Sequence, residues 1–193
     1  MLNRVENTSV PIVLDLLASR RTTSQFEGPT PTDEQIRLLI TAADSAPDHG
    51  KLRPWRVSVV AGDAREQLGD MFALGALGRS PDLTENDLQR EKSKALRAPV
   101  VLIVSAKITQ TSKIPAVEQV MAVAAAVQNM LIAAHAMGLA TAWKTGAPAY
   151  DVAIKERIGL QEADSIVAFV YLGHAVKTKV AVPRSVDDIV SYF

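Results

Sequence analysis

The sequence predicts an α+β fold, an α/β sandwich in which helices cover both sides of one sheet. Three observations predict it. Helical and strand patterns alternate along the chain, the strands are short and rich in valine and isoleucine, and helices outnumber them. With 48% hydrophobic and 22% charged residues in 193 positions, the chain can bury the core of a single domain, 1–193.

The elements follow in order. A first helix spans Pro11 to Ser19, proline suiting a helix start. A second runs from Asp33 to Ala46: Ile36, Leu39, Ile40 and Ala43 share one face, and Thr32 with Gln35 forms a capping box. Arg56–Ala61 is a strand, and Gly62-Asp63 turns the chain into a helix over Ala64–Phe72. Residues 74–93, with Gly75, Gly78 and Pro81, read as a flexible excursion followed by a helix capped by Thr84. Pro99 precedes the strand Val100–Ala106. Residues 117–137 form the longest helix, closed by Gly138. Leu139–Lys144 is a strand, Asp151–Ile158 a helix closed by Gly159, and Ile166–Leu172 a buried strand.

The longest helix is apolar almost all round: Val120, Met121, Val123, Ala124, Ala125, Val127, Met130, Leu131 and Ile132. A helix with no polar face is buried on every side, and in so short a chain a partner subunit would complete the burial. Glu118, Gln119, Gln128, Asn129 and His135 argue against a membrane span. The tail residues Ile189, Val190, Tyr192 and Phe193 are also apolar, which predicts that the tail docks on something.

Charge and cysteine content narrow the function. Lys plus Arg and Asp plus Glu each total 21, so the chain as a whole carries no footprint for nucleic acid or an acidic membrane. With no cysteine there is no disulfide and no thiol redox chemistry, so redox work needs a bound cofactor. The first residues carry Glu6 and no long apolar run, which points to a cytoplasmic protein. No Gly-x-Gly-x-x-Gly follows a strand and no Gly-x-Ser-x-Gly occurs, against a Rossmann dehydrogenase and a hydrolase.

Two segments concentrate polar chemistry. Arg20-Arg21-Thr22-Thr23-Ser24 follows the first helix, and paired guanidiniums beside hydroxyls suit an anion, although a pair of solvated arginines reads the same way. Residues 46–55 place Asp48, His49, Lys51, Arg53 and Trp55 on one loop bounded by Pro47 and Pro54. Asp48 fits a hydrogen-bonded turn, and adjacent Asp48 and His49 lack the further ligands a metal needs.

Taken in order, these segments resemble the nitroreductase family. The resemblance rests on Arg20-Arg21-Thr22 after the first helix and on Ala46-Pro47 with Pro54-Trp55 after the second. The long helix adds Glu118, Ala122, Ala124, Gln128, Asn129, Met130 and Leu131. Gly138-Leu139 with Trp143-Lys144-Thr145-Gly146, then Tyr171-Leu172-Gly173, complete it over residues 11–193.

The resemblance implies a mostly antiparallel central sheet flanked by helices, in an intertwined homodimer that holds FMN at the subunit interface and is fed by NAD(P)H. Residues 1–10 would be an N-terminal extension and about 176–193 an arm reaching the partner. Arg20, Arg21 and Thr22 would contact the flavin phosphate, ribityl chain and pyrimidine edge, with one arginine stabilising reduced flavin. Ser45 and His49 would follow, His49 from the other subunit. Trp143, Lys144 and Thr145 would line the ring and ribityl side, and Lys177 or Lys179 would add a second charge at the phosphate. Hydride would pass through flavin N5 to a nitroaromatic, quinone or similar flat acceptor by ping-pong exchange. An FMN-binding or regulatory module with little turnover is the alternative. Two positions depart from the family: Ser45 stands where close members carry arginine, and Arg53 where glutamine precedes Pro54-Trp55.

Overall fold

A computed structural model describes residues 10–177, 185, 187 and 189–193. Six helices occur among them: α1 (Val10–Ser19), α2 (Asp33–Asp44), α3 (Ala64–Arg79), α4 (Glu85–Ser93), α5 (Ala116–Ala136) and α6 (Val152–Arg157). The strands are β1 (Phe26–Glu27), β2 (Trp55–Ala61), β3 (Val100–Ala106), β4 (Ala140–Lys144) and β5 (Ser165–Ala175). The sheet runs β1-β5-β3-β2, with β4 also on β5, and every named pairing is antiparallel.

Antiparallel sheets often leave one face to water. This one does not, because β3 and β5 are apolar at consecutive positions and alternate side chains must be buried on opposite faces. Val100, Leu102, Val104, Ala168, Val170 and Leu172 enter the core shared with α2 and α5. Val101, Ile103, Ile166, Phe169 and Tyr171 enter a second core with Leu68 and Phe72 of α3 and Ile154 of α6. Phe72 and Phe169 meet edge to face at 5.3 Å there. The expected sandwich is therefore present.

One expectation fails. Residues 74–79 are not an excursion: α3 continues through Gly75 and Gly78 to Arg79, and the loop shrinks to 80–84 before Thr84 caps α4. Gly75, like Gly69 earlier in the helix, serves close approach, whereas Gly78 faces open space. A Cβ on Gly69 would lie 2.7 Å from the Lys92 carbonyl of α4, and one on Gly75 would collide with the Asp151 carboxylate. That carboxylate pairs with Arg79 and caps α6 through the Ala153 and Ile154 amides. β5 also extends to Ala175, beyond the expected Leu172, because Phe26–Glu27 pairs with its end.

The longest helix is only partly covered by its own chain. Ala122, Val123, Ala126, Val127, Met130 and Ala134 face α2 and the sheet, whereas Val117 is 62% and Met121 64% exposed. Gln119, read as an interruption, is buried and satisfied: its side chain accepts from the Thr109 amide at 2.9 Å and donates to the Ile114 carbonyl at 3.0 Å. Ile189, Tyr192 and Phe193 are exposed.

Candidate functional site

The Arg-Arg segment lies where α1 ends against the sheet and α5. Thr22 bridges Thr141 of β4, and the Thr23 amide donates to the Thr141 carbonyl at 3.1 Å. This pairing fixes the backbone just past the arginines. Between it and the end of α5 lies a cavity of about 190 Å³. It is lined by Arg20, Arg21, Thr22, Thr23, Lys177 and His135, together with Ser19 and the first residues of β4. Among the described residues no carboxylate lines it. Three permanent cations and several hydroxyls thus converge without an acidic partner, a donor set that suits a phosphate group.

The two arginines are not equivalent. The Arg21 guanidinium donates to the Ala18 carbonyl at 2.7 Å and the Arg20 carbonyl at 2.6 Å, so it turns back on the C-terminal end of α1, where a cation is favoured. Among the described residues the half-buried Arg20 guanidinium has no such partner and remains available to an anion. Lys177 is exposed at the rim, and Lys179 lies outside the described residues.

The second cluster sits at the other end of α5. His49 Nδ1 lies 2.6 Å from Glu118 in the first turn of that helix. The loop carrying His49 is tightly wound: Gly50, Lys51 and Arg53 have φ of 76°, 54° and 46°. Glycine adopts this left-handed conformation freely, whereas Lys51 and Arg53 are strained in it. Asp48 accepts the Arg53 amide at 2.6 Å, as a turn residue would.

Arg53, which alters the charge pattern of the loop, is neutralised locally. Its Nη2 donates to both Asp44 carboxylate oxygens, at 2.7 and 2.8 Å, and the Trp55 indole donates to the same carboxylate at 2.8 Å. The Arg53 guanidinium, followed by the Trp55 N–H, holds the Asp44 carboxyl below the usual carboxylate range. Ser45 ends α2, its hydroxyl donating to the Ala42 carbonyl at 2.7 Å beside Asn129 of α5.

The remaining expected residues lie on β4. A bulge between β3 and β5 leaves Val167 without a β3 partner, and its carbonyl accepts the Trp143 indole N–H at 3.0 Å. Trp143 is thereby a half-buried wall of the α2/α5 core, while Lys144 and Thr145 are exposed at the strand's end. At strand rise, Lys144 stands about 10 Å along β4 from Thr141.

One chain therefore brings Arg20, Arg21, Thr22 and Lys177 together but leaves His49 far from them. Glu118 and His135, which mark the two clusters, are separated by most of α5, about 25 Å at helical rise. Sequence reading missed Ser19 and His135 as cavity residues; the signal was a lone histidine in the last turn of an otherwise apolar helix.

Comparison with known proteins identifies the family. The profile described as Nitroreductase family matches residues 17–174. A protein of Escherichia coli K12 named "Putative NAD(P)H nitroreductase YdjA" is 34% identical over 183 residues, covering 93% of this chain and 98% of that protein. A "Putative NAD(P)H nitroreductase" of Haemophilus influenzae is 32% identical over 182 residues, covering 93% and 98%. The solved nitroreductase-like family protein from Bacillus cereus superposes with a TM-score of 0.81 at 21% identity, covering 100% of this chain and 98% of that one. A nitroreductase with bound FMN from Desulfitobacterium hafniense gives a TM-score of 0.69 at 23% identity, covering 100% of both chains. The match along nearly the whole sequence, together with the shared fold, makes this chain a member of the nitroreductase family.

Proposed function

We propose that this chain is an FMN-dependent oxidoreductase that takes reducing equivalents from NAD(P)H and passes them to a flat electrophilic acceptor such as a nitroaromatic or a quinone. The observation that carries the reading is the cavity with Arg20, Arg21 and Lys177 on its walls. Relatives named as NAD(P)H nitroreductases and an FMN-bound structure of the same fold support it.

Bound FMN would supply the two-electron chemistry, hydride in from the nicotinamide and hydride out to the acceptor. The chain's own residues bind and orient. Arg20 and Lys177 hold the phosphate, and the hydroxyl of Thr22 gives it direction. Arg21, anchored on the end of α1, adds fixed positive potential that favours an electron-rich ligand. Lys144 and Thr145 stand farther along β4, on the side where the rest of a flavin would extend. One open face serves both substrates, so nicotinamide and acceptor take turns.

The working unit is a homodimer. Val117 and Met121 leave an uncovered apolar stripe on α5, which a second copy would bury. A two-fold axis across that stripe, with the two α5 helices antiparallel, brings the His49 end of one copy to the Arg20 end of the other. The exposed apolar residues Ile189, Tyr192 and Phe193 act as an arm toward the partner; most of 178–188 lies outside the described residues.

The test is the absorbance of the purified protein after incubation with FMN, followed by anaerobic addition of NADH or NADPH. A bound flavin that bleaches with either nicotinamide and recolours with a quinone or nitroaromatic is expected. Protein that retains no flavin, or flavin that neither nicotinamide bleaches, overturns the reading.

A further inference from the structure

The anion cavity contains a pair that the family motifs do not include. Ser19, the last residue of α1, and His135, in the last turn of α5, both line it, with Ser19 Oγ and His135 Nε2 2.8 Å apart. We propose that the Ser19 hydroxyl is a ligand for a phosphate monoester in this cavity, and that His135 positions it. The proposal extends the flavin reading only in taking the FMN phosphate as the natural occupant.

Hydrogen-bond direction decides what Ser19 can offer an anion. A serine hydroxyl has a single hydrogen. If His135 accepts it, Ser19 turns only lone pairs toward the cavity and cannot donate to an anion. If His135 carries its hydrogen on Nε2, the imidazole donates to Ser19 Oγ, and the hydroxyl hydrogen is free to point at a phosphate oxygen. The surroundings select the second arrangement once an anion is present: Arg20, Arg21 and Lys177 gather negative charge here, and among the described residues no carboxylate on the walls competes for the hydroxyl. The geometry also joins elements that otherwise meet lightly. Ile12, Val13, Leu14 and Leu17 of α1 are exposed, so the Ser19–His135 bond helps set where α1 ends and hence where Arg20 begins.

The test compares FMN with riboflavin, which has the same ring system and no phosphate, on the apoprotein by quenching of flavin fluorescence. Ser19→Ala and His135→Ala are each expected to weaken FMN binding about tenfold, the loss of one hydrogen bond to a charged group, with riboflavin changed less than about twofold. His135→Gln, whose amide can still donate to Ser19, should recover most of the affinity. The double variant should be no weaker than either single variant, because both remove the same contact.

Equal losses for FMN and riboflavin assign the pair a structural role and overturn the proposal, as does unchanged FMN affinity or additive loss in the double variant. If the parent protein binds neither flavin, the flavin reading falls and inorganic phosphate decides the proposal by calorimetry. Phosphate binding that both single variants abolish supports it, and absence of phosphate binding overturns it.

Discussion

At its N-terminal end α5 meets a loop whose charges already answer one another: His49 lies against Glu118, and Arg53 clasps Asp44. At its C-terminal end it meets a cavity where Arg20, Arg21 and Lys177 face no acid among the described residues. The first end is a self-contained fixture, strained at Lys51 and Arg53 and stabilised by its own pairs. The second is electrostatically incomplete until an anion enters. A cluster that is dense in polar groups need not be the anion-binding end, and the difference shows up as the presence or absence of countercharge.

The comparison can be broken most severely at the stripe between the ends. Met121→Glu puts an uncompensated charge into the proposed contact between copies. It should cost about 3 kcal/mol or more of association, seen as monomer by sedimentation and as loss of bound flavin. A variant that still sediments as a dimer would detach the exposed stripe from assembly. Next in size, Arg20→Glu replaces the available cation with an anion and should weaken FMN binding by about 2–3 kcal/mol, while leaving the thermal transition of the apoprotein nearly unchanged. The mirror change at the paired end, Arg53→Gln, should leave FMN affinity nearly intact.

Smaller effects sharpen the picture of the strained loop. Lys51→Gly relieves a positive φ and should raise stability by about 0.5 kcal/mol, measured as a higher urea midpoint. Smallest is the acid response of Asp44. Its carboxyl is held below the usual range in the folded chain, so its stabilising effect is complete above the ordinary carboxylate pKa, about 3.9, and is lost as pH falls through the lowered value. Urea midpoints of the parent and of Asp44→Asn should therefore differ at neutral pH and converge in strong acid.

Much of this was legible in the chain. The Thr32–Gln35 and Thr84 caps fall where local hydrogen bonding predicts, and the unbroken apolar runs of β3 and β5 report burial on both faces. Gly75 misled because a glycine that ends a helix and one that lets another element approach look alike until the neighbour is known; here the neighbour is Asp151, far along the sequence. The Arg20 segment was readable as an anion site from its residue types. Ser19 and His135 were not, since their meeting depends on where α1 ends against α5, and the grip of Arg53 on Asp44 required the turn at Lys51.

The separation of Arg20 and His49 along one helix has a genetic consequence. If each complete site draws on both copies, an Arg20→Glu chain and a His49→Ala chain fail for different halves of it. Mixed in equal amounts and allowed to exchange, about half of the dimers are hybrids, each with one site carrying both lesions and one carrying neither. About a quarter of all sites would then regain parental composition, so two inactive alleles would complement each other in one cell.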